Sequence, residues 1–401
     1  MKYVVFLGDG MADEPLPELS NRTPLMVAFT PYLDRLARNG RCGTLLTLPE
    51  GFPTSSDVAN LSVLGYDLAS CYTGRGPLEA LSQAIELGSH DIAFRCNLIT
   101  ARDGVLDEYS GGHLSNEEAS ELIQTLNEKF GSTKIRFYPG VSYRNILVLS
   151  GEEFSDQVEY HKPDSSHGMA IRSILLAPKN AMAQPTADLL NQMILDSEGL
   201  LNSHPVNERR VSEGKKPANM IWPWSPGKKP ELEPFQRKYG RRGAIISAVD
   251  VIFGIGIAAG MEIIKVPGAT GYVDTNYEGK ADAALRALDH VDFIYVHVEA
   301  IDEVSHLGQL DLKLQAIKDF DRRVVGHFLD RCPPGVTIAV LPDHPVPLKL
   351  RKHTRTPVPF AIYKPGATPD MVSEFNEYSC REGSLGELRG DGFMKVLLRT
   401  S

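Results

Sequence analysis

The stretch FIYVHVEAIDEVSHLG, residues 293–308, carries the reading of the fold. Five of its first six residues are apolar, the pattern of a strand buried on both faces. The chain then enters a helical turn that sets Asp302 and His306 four residues apart. Positions i and i+4 face the same way on a helix, so a carboxylate and an imidazole there can grip one ion. A buried strand feeding a helix is half of a βα unit, and the same alternation recurs on both sides. Upstream, Tyr3–Leu7 reads as a strand opening into Gly8-Asp9-Gly10, and Pro31–Asn39 as a helix with proline in its first turn and Gly40 as its stop. Ser56-Asp57 before VANLSVLG reads as a capped helix ending at Gly65. Ala244–Ile246 and Ile263–Val266 read as strands, and Ala281–Leu288 as a helix. Downstream, Leu310–Leu329 reads as a long amphipathic helix and Val336–Leu341 as a further strand. The expected fold class is therefore α/β, a mainly parallel sheet flanked by helices. In such sheets ligand groups collect beyond the C-terminal ends of the strands, where Asp9, Asp302 and Asp343-His344 all fall.

The middle of the chain has another texture. AFRCNLIT (93–100), GVLDEY (104–109), a helix over Asn116–Phe130, KIRFY (134–138) and YRNILVL (143–149) follow in β-β-α-β-β order. This predicts a small α+β domain at 90–178, inserted into a catalytic α/β domain of residues 1–89 and 179–401. Trp222-Pro223-Trp224 reads as a strand leading into a surface loop.

Composition narrows the partners. A net charge of −9 argues against nucleic acid or an anionic membrane, and no apolar run approaches the roughly 18 residues of a membrane span. The cysteines, 42, 71, 96, 332 and 380, are odd in number, far apart and free of any C-x-x-C pair. They read as reduced thiols of a cytoplasmic protein. An acidic chain that takes an anionic substrate must gather positive charge locally, in a metal site or an arginine pocket.

Asp9, Asp302, His306, Asp343, His344 and His353 supply three aspartates and three histidines for such a site. Each motif alone is commoner as solvated surface; their coincidence at strand ends points to divalent metal. Thiolate-free Asp/His ligation favours Mn2+ or Mg2+, with Zn2+ and Co2+ also compatible. His297, inside a strand, reads as a core or supporting histidine. Ser56, at a helix start where unpaired N–H groups attract anions, is the candidate nucleophile.

The stretches GDGMAD (8–13), SSDVANLSVLGYD (55–67), YTGRGPLEA (72–80), FRCNL (94–98), KPANMIWPW (216–224), PGATGYVDTNYEGKA (267–281), VHVEAIDEVSH (296–306), LPDH (341–344) and HTRTPVPF (353–360) together resemble the archaeal-type, cofactor-independent phosphoglycerate mutases of the alkaline phosphatase superfamily. The resemblance implies two metal ions, one held by Asp9, Ser56, Asp343 and His344 and the other by Asp302, His306 and His353. It implies a phosphoserine at Ser56, interconversion of 3- and 2-phosphoglycerate without 2,3-bisphosphoglycerate, and an inserted domain acting as a lid. Arg95, Arg144 and Lys280 match positions expected near substrate, and Arg209 is a weaker match. The chain departs from the family at Ser55, where glycine is usual, at Gly111-Gly112-His113 in place of Ala-Gly-Arg, and at Asn145 in place of histidine. Asp107 and His113 are candidates for the acid/base at the glycerate hydroxyl. The same metal–serine core would also serve a phosphatase or phosphodiesterase with water as acceptor, or persist in a non-catalytic metabolite-binding relative. Oligomeric state is not legible in the sequence.

Overall fold

The computed structural model describes residues 1–399 and divides into two compact units, residues 1–72 with those from 231 onward, and Thr73–Pro230. The first unit opens with strands β1 (Lys2–Gly8) and β2 (Arg41–Leu46). The second holds β3 (Asp91–Arg102), β4 (Val105–Glu108), β5 (Ile135–Val141), β6 (Arg144–Ser150), β7 (Val158–Glu159), β8 (Ala177–Pro178) and β9 (Met220–Lys228). The chain returns to the first unit with β10 (Gly243–Ser247), β11 (Glu262–Lys265), β12 (Phe293–Val298), β13 (Val336–Leu341), β14 (Val358–Tyr363) and β15 (Glu387–Arg389).

The first unit is built on an eight-stranded sheet in the order β11-β10-β12-β1-β13-β14-β2-β15. Its five strands from β11 to β13 run parallel, as the continuous apolar runs require; β14 turns antiparallel to both its neighbours, and β15 runs parallel to β2. Helix Pro31–Asn39 has proline at its start and Asp34 in the first turn, favourable at the positive end of the helix dipole. It buries Leu33, Leu36 and Ala37 in the core shared with Phe6, Ile294 and Phe328. The helical run over 310–329 is continuous but irregular. Leu310–Asp319 is α-helical, and Phe320–Gly326 widens into a π-helical stretch. There Asp321 turns its carboxylate onto the backbone N–H groups of Tyr32 and Leu33, at 3.0 and 2.8 Å.

The central register decides where the loops emerge. β1 lies between β12 and β13, with Gly8 opposite Val298 and Leu7 opposite Leu341. Three neighbouring parallel strands thus end at one level. The chain leaving them carries Asp9, Asp302 (on helix Ala300–His306) and Asp343-His344. A buried clamp joins the loops after β1 and β13. Lys313 Nζ lies 2.8 Å from Asp13 Oδ2 and donates to the carbonyls of Ala12 and Val346, while Asp13 accepts the N–H of Leu348.

The second unit is wider than the 90–178 expected from sequence. All pairings in its main sheet, β4-β3-β6-β5 with β9 on the other edge of β3, are antiparallel. β9 runs along β3 from Ile92↔Lys228 to Ile99↔Met220, so the Trp222–Trp224 segment is the strand read from the sequence, with Trp222 in the core and exposed Lys228 and Lys229 at its end. Hydrophobic packing of Ala187, Leu190 and Ile194 from helix Gln184–Asn202 brings in residues beyond 178. The order β-β-α-β-β over 91–150 is as read from the sequence, with helix Asn116–Phe130 closed at its start by a Ser115/Glu118 capping box.

Among the described residues no helix is long and apolar enough to cross a membrane. Removing one partner of the buried clamp leaves an uncompensated charge, which typically costs about 3–5 kcal/mol. Lys313→Met is therefore expected to lower unfolding free energy by about that amount in denaturant titration, and Lys313→Met with Asp13→Asn to lose less. A single variant within about 0.5 kcal/mol of wild type would mean the clamp contributes no net stability.

Candidate functional site

Helix Ser56–Val63 begins with Ser55 in the cap position, in extended conformation. Ser56 is thus the first helical residue and not the cap that the sequence suggested. The one-residue shift matters. Ser56 Oγ lies 3.2 Å from His344 Nε2, whereas the buried Ser55 Oγ has no hydrogen-bond partner.

His344 Nε2 is the hub of a first cluster. Around it lie Ser56 Oγ at 3.2 Å, Asp9 Oδ1 at 3.3 Å and Asp343 Oδ2 at 3.4 Å. A second cluster joins Asp302, His306 and His353. Its two imidazole nitrogens face each other at 3.0 Å, and the Asp302 oxygens lie 3.3 Å from His306 Nε2 and 3.4 Å from His353 Nε2. Donor atoms bound at about 2.1 Å to one ion sit roughly 3.0–3.4 Å from each other in octahedral or tetrahedral arrangements. Both clusters have that spacing. The His344 and His353 rings stack at 3.8 Å, so the clusters adjoin.

The charge balance points the same way. Asp9, Asp343 and Asp302 are buried together. Burial, reinforced by Asp343, Glu299 and Asp302, holds the Asp9 carboxyl well above the usual aspartate range. Burial pushes Asp343 up to about 8. Burial also presses Asp302 upward, but the hydrogen bonds and charge of His306 and His353 outweigh it and hold this carboxyl well below its ordinary value. For His306, burial is outweighed by its bond to Asp302, which lifts it to about 9. Its Nδ1 lies 2.9 Å from the Arg351 carbonyl, which fixes the proton there and leaves Nε2 as the atom that exchanges a proton for a metal ion. Burial first, then His353, keeps His344 well below the imidazole norm and so neutral. Asp9 Oδ1 and Asp302 Oδ1 have no hydrogen-bond donor. Buried carboxylates beside imidazoles, with oxygens unpaired, are a donor set that divalent cations satisfy.

Supporting residues surround the clusters. His297, within β12, has Nε2 3.0 Å from Asp9 Oδ2 and Nδ1 3.2 Å from Ser247 Oγ. Lys280 is fully buried and donates to the His297 carbonyl at 3.0 Å; burial lowers its ammonium to about 8 against the opposing pull of Glu299. One of the three ammonium N–H groups is engaged in that bond. Asn60 and Tyr295 were passed over in the sequence, although Asn60 stands one turn after Ser56 and so on the same helix face.

In the second unit Arg95 is 5% exposed. Its Nη1 lies 2.8 Å from Glu79 Oε1, an oxygen that also accepts from Arg75 Nε at 2.6 Å, and its guanidinium stands 5.0 Å over the Trp224 ring. Burial pulls Arg95 down to about 10 against the attraction of Glu79, and its Nε has no partner. Arg144 is exposed, 5.3 Å over Tyr143. Arg209 faces solvent; the neighbouring Arg210 is the buried one, held by Glu118 and the carbonyls of Gly111 and Gly112. Asp107 pairs with Lys216 at 3.0 Å. His113 is exposed at the end of the Gly-Gly turn, with φ 58°.

Residues 37–207 match the family described as 2,3-bisphosphoglycerate-independent phosphoglycerate mutase. A protein of that name from Methanosarcina acetivorans is 48% identical over 100% of both chains. A second such mutase, from Methanothermobacter thermautotrophicus, is 47% identical over 99% of this chain and 97% of its own. Among solved structures, a Pyrococcus horikoshii protein superposes with TM-score 0.82 at 28% identity, covering 99% of this chain and 96% of that one. The cofactor-independent phosphoglycerate mutase from Thermoplasma acidophilum gives 0.65 at 30% identity, covering 99% of each. Full-length identity of this order shows common descent across both units, and the chain belongs to the family of 2,3-bisphosphoglycerate-independent phosphoglycerate mutases.

Proposed function

We propose that this enzyme interconverts 3-phosphoglycerate and 2-phosphoglycerate through a phosphoserine at Ser56, with Asp9, Ser56, Asp343 and His344 holding one divalent ion and Asp302, His306 and His353 a second. The observation that carries the reading is the convergence of Ser56 Oγ with Asp9, Asp343 and His344 around one point. Divalent cations bound there, Mn2+ or Mg2+ by the hardness of the donors, supply Lewis-acid charge that favours the serine alkoxide and offsets charge on the transferring phosphoryl oxygens. Ser56 Oγ attacks phosphorus in line, the P–O bond to glycerate breaks, and the freed glycerate oxygen takes a proton. After glycerate re-orients, its other hydroxyl gives up a proton and attacks the phosphoserine, and the Ser56 oxygen departs. Transfer through a fixed serine splits the reaction into two in-line steps, where direct transfer between neighbouring hydroxyls would be strained.

Arg95 and Arg144 are proposed to take the carboxylate or phosphate of phosphoglycerate, the second unit acting as a lid that retains glycerate and keeps water from the phosphoserine. Around Glu79 the cations outnumber the anion, which supports an anionic ligand. The unpaired cysteines fit the cytoplasmic setting expected of such an enzyme.

Enzyme quenched during turnover is expected to carry one phosphoryl group on Ser56, by mass spectrometry. Ser56→Ala should lose the label and at least about a thousandfold in kcat, and Ser55→Ala should keep most of both. Label on Ser55 would overturn the assignment.

Metal affinity should rise with pH. Asp343, raised to about 8, keeps its proton in the metal-free fold while the unfolded chain loses it near 4. This group therefore destabilises the metal-free protein progressively as pH rises from about 4 to about 8, and a cation must displace its proton at the lower end of that window. The gain in Tm on adding Mn2+ should be larger at pH 8 than at pH 6, and chelation should abolish turnover. An equal gain at both pH values would contradict this linkage.

Arg144→Ala is expected to raise KM for 3-phosphoglycerate about tenfold or more while leaving Mn2+ affinity unchanged. Unchanged kinetics would remove Arg144 from the substrate site.

A further inference from the structure

We infer that Tyr295 and Asn60 form a positioning relay that sets the nucleophile Ser56 against the aspartate Asp343. The inference rests on the proposal that Asp343 holds a cation, and it assigns work to two residues outside the ligand set.

The geometry is closed and buried. Asn60 is the fifth residue of helix Ser56–Val63, and Tyr295 lies in β12; both are fully enclosed. Asn60 Nδ2 donates to the Ser56 carbonyl at 2.8 Å and to Asp343 Oδ2 at 2.9 Å. The Ser56 carbonyl is a pure acceptor, so the amide cannot be reversed: nitrogen faces Ser56 and Asp343, and oxygen faces Tyr295. The Tyr295 hydroxyl then donates to Asn60 Oδ1 at 2.6 Å. Every polar atom of the Asn60 side chain is thereby committed. Asp343 is gripped from three sides, its Oδ1 by the N–H groups of Gly10 at 3.2 Å and His344 at 2.8 Å, its Oδ2 by Asn60.

One amide thus joins the backbone carrying the nucleophile to the carboxylate beside it. The serine rides on a helix of eight residues, while Asp343 leaves the end of β13. Among the described residues, no other hydrogen bond of Asp343 ties it to that helix, so the separation of Ser56 Oγ from the Asp343 oxygens depends on where Asn60 sits. Tyr295 fixes that position from the sheet. Loss of the tyrosine hydroxyl frees the amide to rotate and leaves Asn60 Oδ1 buried without a donor. Partners of this kind behind a ligand typically change metal affinity or activity by 10- to 100-fold when removed.

Tyr295→Phe, which removes one oxygen and preserves the ring, is the test. Free Mn2+ is titrated by EPR without substrate, kcat and KM are measured with 3-phosphoglycerate, and Tm is recorded. The variant is expected to bind Mn2+ about tenfold more weakly at one site and to lose about ten- to a hundredfold in kcat, with KM within twofold of wild type. In an Asn60→Ala background the same change should add less than twofold, because the tyrosine acts through the amide. A variant with wild-type kcat and Mn2+ affinity and only a lowered Tm would reduce the pair to core packing and overturn the inference. Full additivity in the double variant would overturn it as well, and the single variant decides the matter if Asn60→Ala does not fold. Wild-type protein that binds Mn2+ but does not turn over phosphoglycerate would sink the functional reading alone, since Mn2+ affinity still reports on the relay.

Discussion

Three carboxylates, Asp9, Asp302 and Asp343, meet in the interior at the end of a parallel sheet, where water cannot solvate them. Burying even one ionised carboxylate is expensive without a partner. The protein protons available are few: His344 and His297 are held neutral by burial, leaving His306 beside Asp302. Most of the local architecture manages this charge. Backbone N–H groups reach Asp343, a histidine ring supports Asp9, and two imidazoles flank Asp302. Divalent cations would complete the balance, and in the proposed mechanism their charge favours phosphate binding and ionisation of the serine hydroxyl.

The sheet creates this crowding by register. Parallel pairing of β1 with β12 and β13 releases three acidic loops at one level, and close approach at that level is sharply limited. Gly10 shows the limit: at φ 63° it has no room for a side chain, because an added Cβ would lie 2.7 Å from the Asp302 Cα. The Lys313–Asp13 clamp then ties the loops after β1 and β13 a few residues behind the ligands. Rigidity below the site and strong like-charge density within it are two sides of one arrangement, since unconstrained loops would separate the carboxylates.

Charge is managed in the opposite sense in the second unit. Arg75 and Arg95 share one oxygen of Glu79, and Arg95 lies against Trp224, a surrounding that holds a guanidinium in place without neutralising it. A protein of net charge −9 thus keeps positive side chains concentrated where an anion can use them. The departure at Gly111-Gly112-His113 has a physical account as well. Three consecutive residues with positive φ form a turn whose carbonyls are taken by the buried Arg210, so the turn is anchored by an arginine 99 residues away from Gly111.

Residue order by itself determined the α/β class, the β-β-α-β-β insert and the set of Asp, His and Ser side chains at strand ends. Hydrophobic periodicity and the punctuation of glycine and proline are local signals, and those features are written locally. Tertiary structure decided what local signals cannot carry. The second unit reaches from Thr73 to Pro230 because β9 pairs with β3, more than a hundred residues earlier in the chain, and pairing over that distance leaves no periodicity to read. The motif around Lys280 says nothing of its burial or of its bond to the His297 carbonyl, which the packing of its helix on β12 sets. Asn60 and Tyr295 look like ordinary core residues, and only the juxtaposition of a helix start with a strand 235 positions later gives their polar atoms a task. Sequence specifies which groups are present, but the distance between two charges is a property of packing, and chemistry at this site depends on distance.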